Sequence, residues 1–238
     1  MQLSDRLEKL MELAGRGVCA ADIGTDHAFV PAELVRRGAF SRAVASDVRK
    51  GPLKSAEAHI RQAGLADRIS LRLGDGLSVL SPGEADVILM SGMGGALMKR
   101  LLREGEEAAK AAGRLILSPQ SEIPAFRSFL QENGFAITQE AAVFEDGKFY
   151  FFMAAQPGRQ EAWTGADRLY GKYLLEEGGE VIRAYLAKRK TLLEGILSDL
   201  QKAEGTRTQA RRREAEEELR LTEEALRCMA ERPSGPGE

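Results

Sequence analysis

The residues best suited to chemistry in this 238-residue chain sit where short apolar runs give way to glycine. Asp22 and Asp26 lie in "ADIGTDHAFVP", Asp47 in "ASDV" and Asp75 in "LGDGL", and the glycine-rich "LMSGMGGALMKR" follows. Gly24 permits a sharp turn of the kind that opens a nucleotide-binding loop. A dinucleotide fingerprint, however, needs three glycines so that the backbone can approach a pyrophosphate at a helix N-terminus. Here Asp26 puts negative charge where phosphate oxygens would settle. Two like charges in contact within a half-dry cleft cost several kcal/mol. NAD and ATP are therefore poor fits. S-adenosylmethionine has no phosphate and carries a sulfonium and an ammonium, which acids attract. Asp26 would serve equally well as the cap of the following helix, and on this loop alone neither reading wins.

The later acids break the tie. Asp47 follows Asp22 by 25 positions, the interval at which an acid grips ribose hydroxyls in this fold class. Asp75 can accept from an adenine amino group while Gly76 leaves room for the ring; taken alone, "GDG" is a commonplace turn. Acids closing three successive strands at one edge of a sheet favour adenosylmethionine. Ser91 to Gly95 would close a fourth. Enzymes that methylate an amino nitrogen of a base usually carry Asp/Asn-Pro-Pro-aromatic at this place, and this chain has neither the prolines nor the aromatic. Gly92, Gly94 and Gly95 offer a backbone that a flat ring can approach, with Met93 as a soft, polarizable neighbour. Without the earlier strand ends, the same stretch reads as a plain glycine turn before a helix.

The elements that must position these residues alternate. "GVCAADIG", "SRAVASDV", "RISLRLGDG", "ADVILMSG" and "RLILSP" read as buried parallel strands. Between them lie helical stretches closed by Gly38 and Gly64, and one long helix over "GGALMKRLLREGEEAAKAAG". "EIPAFRSFLQENG" gives a further helix, and "FAITQEAAVFEDGKFYFFMAA" two strands around Asp146-Gly147. Repeated strand–helix units predict a parallel sheet covered on both faces. A terminal antiparallel hairpin is the mark of the class I methyltransferase variant of the Rossmann-like sheet, an analogy at the level of fold.

Beyond about Gly165 strand formers vanish. Ile182, Leu186, Leu193, Leu197 and Leu200 keep the rhythm of a heptad seam, as do Ala215, Leu219, Thr222, Leu226 and Met229. The pattern predicts a C-terminal α-helical coiled-coil hairpin, broken at Gly178-Gly179, turned within "EGTRTQ" and ending in a frayed "RPSGPGE". Residues 1–158 thus form an expected α/β domain and residues 159–238 a helical one.

Composition narrows the class. Hydrophobic residues make up 43% and charged residues 29%, enough for a cored domain with an appendage. No apolar run nears the roughly 20 residues of a membrane span, so no membrane partner is expected. The amphipathic start, "MQLSDRLEKLMELAG", does not resemble a signal peptide. Cys19 and Cys228 stand apart as reduced thiols, pointing to the cytoplasm. Only His27 and His59 are present, which excludes a three-histidine metal site; no metal is expected.

"DIGTDHAFVP", "SDV", "GDGL", "SGMGG" and "LSPQ", in this order, resemble the bacterial TrmK family of tRNA adenine(22)-N1 methyltransferases. The likeness runs from about Leu3 to Gln156 and extends in kind to a helical, coiled-coil C-terminal domain. It implies S-adenosylmethionine as cofactor, held by Asp22, Gly24, Thr25, Asp47 and Val48, and further along by Asp75, Gly76, Ser91 and Gly92. It places Asp26 at the reacting centre, with Met93, Gly94 and Gly95 shaping the base slot. It implies tRNA as partner, with the target adenine flipped out of its stack. His27 and the pair Pro119-Gln120 are weaker candidates for touching the base.

Phosphates need cations, and net charge is only −2. Local clusters are Arg36-Arg37 with Arg42, Arg49-Lys50 with Lys54, Lys99-Arg100 with Arg103, Lys188-Arg189-Lys190 and Arg211-Arg212-Arg213. The two tail clusters suit either the solvated face of a coiled coil or an RNA clamp, and the clamp is favoured because three adjacent arginines repel one another without a partner. Two other readings compete: a small-molecule methyltransferase, which leaves the helical hairpin without a job, and a catalytically idle interaction protein, against which the intact acids argue. A monomer is expected, with dimerisation through the coiled coil as the alternative.

Overall fold

The computed structural model describes residues 3–201 and 205–231. These divide into two compact units that meet between Glu161 and Ala162. Glu204, where the expected "EGTRTQ" turn begins, and the tail "RPSGPGE" lie outside the described residues.

The first unit is a seven-stranded sheet ordered β3-β2-β1-β4-β5-β7-β6. Its parallel strands are β1 (Gly17–Ile23), β2 (Phe40–Asp47), β3 (Ile69–Leu73), β4 (Val87–Met93) and β5 (Arg114–Pro119). The inner strands β1, β4 and β5 are mostly apolar and buried because helices cover both faces, whereas the edge strand β3 buries only Ile69 fully. β6 (Phe135–Glu145) and β7 (Lys148–Pro157) close the sheet antiparallel, with β7 wedged between β5 and β6. Asp146 and Gly147 both take positive φ at the hairpin tip, 50° and 76°, the geometry that matches a hairpin to strand twist.

The helices are α1 (Asp5–Ala14), α2 (Phe29–Arg36), α3 (Lys50–Gln62), α4 (Gly95–Glu104), α5 (Glu106–Ala111) and α6 (Ile123–Glu132). α1 buries Leu10, Met11, Leu13 and Ala14 in a core shared with Leu34, Leu89, Ile116 and Phe152. On the opposite side Ala56 and Ile60 of α3 close a second core over Ala43, Ala45 and Ile69. The single long helix expected after "SGM" is in fact two. Gly105 ends α4 by donating to the Leu101 carbonyl, and a side chain there would strike Leu77.

The second unit is helical, from α7 (Gly165–Tyr170) and α8 (Lys172–Glu177) to α9 (Glu180–Leu200) and α10 (Thr206–Glu231). Ile182, Leu186 and Leu193 of α9 are buried, as are Ala215, Thr222 and Met229 of α10. Ala225 takes the buried place expected of Leu226. The Tyr170 hydroxyl donates to Thr222 Oγ1 at 2.6 Å, and Thr222 donates on to the Glu218 carbonyl, so the buried polar groups are matched.

Candidate active site

A cleft of about 730 Å3 opens at the carboxyl edge of the sheet, within the roughly 300–1,000 Å3 typical of small-ligand sites. It runs from the ends of β3 and β2, past β1, to the end of β4. Asp22, Asp26, Asp47 and Asp75 line it, together with Gly24, Thr25, Val48, Gly76, Ser91, Gly92 and Met93. Every residue expected to hold the cofactor is therefore in one cleft.

Each acid is presented differently. Asp22 is buried one residue before the end of β1; burial lifts its carboxyl to about 6, against a hydrogen bond from Thr25 that pulls it down. Asp47 is buried at the end of β2, where its Oδ1 accepts from the Arg49 amide at 2.7 Å and from Arg49 Nε at 3.3 Å. Asp75 stands past β3 and is held by Arg100 of α4 at 3.0–3.3 Å. Asp26 is the open one, with its side chain 76% exposed and Oδ2 3.4 Å from His27 Nε2.

The loop that carries Asp26 does not use it as a cap. The residue in the cap position of α2 is Ala28, in the left-handed region at φ 54°, and no side chain caps the helix. The loop is pinned by aromatic contact instead: His27 stacks on Phe29 at 5.2 Å, Phe29 meets His59 edge-on at 4.8 Å, and His59 Nδ1 donates to the His27 carbonyl. That leaves the Asp26 carboxylate free for a ligand.

Two glycines are required by geometry. Gly24 has φ +80°, and a Cβ there would lie 2.3 Å from Met93 Cε, so Met93 packs on the bare loop of β1. Gly92, at φ +73°, is the residue where the β4–β5 register shifts, a bulge that turns the end of β4 toward the cleft. Gly94 and Gly95 fall elsewhere. Gly94 precedes α4, and Gly95 is buried with its missing side chain replaced by the Ser121 carbonyl, 2.5 Å from where a Cβ would be. Neither lines the cleft. Their glycines are explained by the close approach of the 119–122 loop, where Gln120 donates to the Met93 carbonyl. Of the three residues expected to shape a base slot, Met93 lines the cleft and Gly94 and Gly95 do not.

Sequence reasoning read the start of the chain as an amphipathic helix but did not bring α1 to the cleft. Ser4, Arg6 and Leu7 line the same cleft next to Ser91 and Gly92, and Arg6 also borders a water-sized cavity with Ser118, Gln120 and Tyr150. Arg6 is held to β6 across 139 positions, its amide donating to Glu145. No short motif signals such a contact. The basic clusters also read differently. Arg36 and Arg37 pair with Glu33 and Glu8, and Lys99 pairs with Glu122. Arg211 and Arg212 pair with Glu214 and Glu216 on their own helix, so self-repulsion no longer argues for an RNA clamp. Among the described residues no cluster fit to hold a metal occurs.

The donor set fits adenosylmethionine: acids for hydroxyls and cations, a turn bare enough for close approach, and no phosphate cradle. Sheet order, closing hairpin and cleft together define a methyltransferase domain, and the family model for that domain matches residues 3–153. The tRNA (adenine(22)-N(1))-methyltransferase of Bacillus subtilis is 38% identical over 186 residues, 76% of this chain and 78% of the relative. The crystal structure of the B. subtilis m1A22 tRNA methyltransferase TrmK superposes with a TM-score of 0.87 at 31% identity, over 94% of this chain and 99% of that one. A Streptococcus pneumoniae structure in complex with S-adenosyl-L-methionine gives 0.85 at 31% identity, over 94% and 100%. The chain belongs to the TrmK family.

Proposed function

We propose that this protein methylates N1 of an adenine in tRNA, adenine 22 by relation to the B. subtilis enzyme, using S-adenosylmethionine. The observation that carries the reading is the cleft: four carboxylates at one sheet edge, with a glycine turn and no site for diphosphate. When bound, the cofactor supplies an electrophilic methyl carbon on a sulfonium, and adenine N1 has the lone pair that takes it.

The chain's own work is positioning and charge. Asp47 is placed for the ribose hydroxyls and Asp75 for the adenine edge of the cofactor, while buried Asp22 favours the cationic end. Asp26 accepts from the exocyclic amine of the target base. As N1 gains its methyl group the ring becomes cationic, and the carboxylate stabilises that charge and can take up the proton. Gly92 and Met93 form the wall against which the base lies. A closed, dry contact excludes water from the methyl carbon.

The helical unit is assigned to tRNA. Its exposed pairs, such as Arg212 with Glu216, are worth only about 0.3–0.5 kcal/mol, so a phosphate can displace the glutamate. Arg189–Glu218 and Lys190–Glu223 join α9 to α10 within one chain, so the seam needs no second copy and the enzyme acts as a monomer. A tRNA substrate and two free cysteines, Cys19 and Cys228, support the reading of a cytoplasmic enzyme. No described helix is long and apolar enough to cross a membrane.

The test is direct. Unmodified tRNA incubated with methyl-labelled cofactor should yield 1-methyladenosine, mapped to one position by primer extension. Label in another nucleoside would refute the substrate while leaving the cofactor site standing.

A further inference from the structure

The loop from β1 to α2 carries the most exposed of the four cleft carboxylates, Asp26. Both ends of that loop are fixed by the backbone. The Gly24 and Thr25 amides donate to the Ser46 carbonyl at 2.8 Å, and the Ala28 carbonyl opens α2 by accepting from the Ala32 amide at 3.0 Å. The helix cannot begin a residue earlier. The amide that would return to the His27 carbonyl belongs to residue 31, and Pro31 has no N–H. Ala28 moreover sits in the left-handed region at φ 54°, a conformation that persists only where the surroundings hold it. The His27 carbonyl is thus left without a partner from its own segment.

His59 supplies one. It lies on α3, 32 positions further along the chain, half-buried and outside the cleft lining. Its Nδ1 is 3.0 Å from the His27 carbonyl oxygen. A carbonyl can only accept, so Nδ1 carries a proton and donates. The same ring meets Phe29 edge-on at 4.8 Å, and Phe29 stacks on His27 at 5.2 Å. One side chain therefore grips the loop on both sides of Ala28, by a hydrogen bond to residue 27 and by ring contact with residue 29.

We infer that His59 is a positioning residue for methyl transfer, holding from outside the cleft the backbone on which the Asp26 carboxylate stands. The inference rests on the proposed role of Asp26 at the target base. With its side chain 76% exposed and His27 its one partner among the described residues, Asp26 takes its place from the backbone beneath it. A misplacement of about 1 Å can cost on the order of a hundredfold in rate. The hydrogen bond from α3 therefore bears on turnover more than on stability.

The test uses three variants of the full-length protein. His59→Asn brings a side-chain amide nitrogen close to where Nδ1 stands, whereas His59→Phe and His59→Leu keep apolar contact with Phe29 and remove the donor. Transfer of labelled methyl to tRNA gives kcat and KM, calorimetry gives adenosylmethionine affinity, and thermal midpoints show which variants fold. The apolar variants should lower kcat about tenfold, a fraction of what full misplacement costs. They should leave KM for tRNA and cofactor affinity within about twofold, the mark of an interaction felt in the transition state. If one of them does not fold, the other decides. His59→Asn should stay within about threefold of the wild-type kcat. In an Asp26→Asn background, His59→Phe should cost less than about twofold more, because the group it positions is already gone. Wild-type kcat in the apolar variants would overturn the inference, as would an equal loss in His59→Asn. A full tenfold loss on top of Asp26→Asn would overturn it too and make His59 a packing residue of α3. An Asp26→Asn protein that turns over at the wild-type rate would instead remove the proposed role of Asp26.

Discussion

Asp22 is the residue at which stability and binding pull hardest against each other. Its carboxyl titrates near 6 in the folded chain against 3.8 for an ordinary aspartate, because burial disfavours the anion. Below pH 3.8 both folded and unfolded chains hold the proton and nothing is lost. Between about pH 4 and 6 the folded state binds more protons than the unfolded one, so stability falls as pH rises. Above 6 the penalty is complete. The gap between 3.8 and about 6, at about 1.36 kcal/mol per pH unit, makes it roughly 3 kcal/mol. Asp22→Asn removes the charge and keeps an oxygen that can accept from Thr25. In urea titrations of the α/β unit, the variant should match wild type near pH 4 and exceed it by up to about 3 kcal/mol at pH 7.5. The same variant should bind adenosylmethionine more weakly at pH 7.5, and wild-type affinity should decline below pH 6 as the carboxyl is neutralised. Identical stability profiles from pH 4 to 8 would refute the reasoning, as would a variant less stable than wild type at pH 7.5.

Two further pairs of substitutions probe the packing around the site and in the helical unit. Gly24→Ala forces a side chain into the left-handed region, costing about 1–2 kcal/mol, and drives its methyl into Met93 Cε. Met93→Ala in the same protein should recover only the clash, which a double-mutant cycle on unfolding free energy and cofactor affinity would show. Thr222→Val strands the buried Tyr170 hydroxyl and should cost about 1–3 kcal/mol. Tyr170→Phe should cost less, because Thr222 keeps the Glu218 carbonyl, and the double variant should be more stable than Thr222→Val alone by chemical denaturation.

What the sequence disclosed was whatever depends on near neighbours. β1 to β5 show as apolar runs, the Asp146-Gly147 turn shows as a hairpin, and the acids show at strand ends, because each is set by a few adjacent residues. What stayed hidden depends on packing between distant parts. The break at Gly105 arises from contact with Leu77. Gly95 looked like a ring-binding glycine and instead makes room for the Ser121 carbonyl. Arg6 reads as one charge on an amphipathic helix until β6 brings Glu145 to it. The self-repulsion inferred for the arginine run 211–213 fails for a different reason: the glutamates three and four positions on were in view, and helical spacing pairs Arg211 and Arg212 with them.

An acidic cleft is an awkward place to bring a polyanion, and the way the acids are presented resolves the conflict. Asp22 and Asp47 are buried, so their fields act on what enters the cleft more than on what passes its rim. Asp47 and Asp75 each carry an arginine, Arg49 and Arg100, that offsets their charge toward solvent. Asp75 is half exposed but held by Arg100, and Asp26, the most open of the four, has only His27 beside it. An RNA backbone approaching the edge thus meets matched pairs, whereas a base turned inward meets one bare carboxylate. On the proposed function, selection at this edge turns on which part of the nucleotide points in: Asp26 would refuse a phosphate and would accept from an adenine amine.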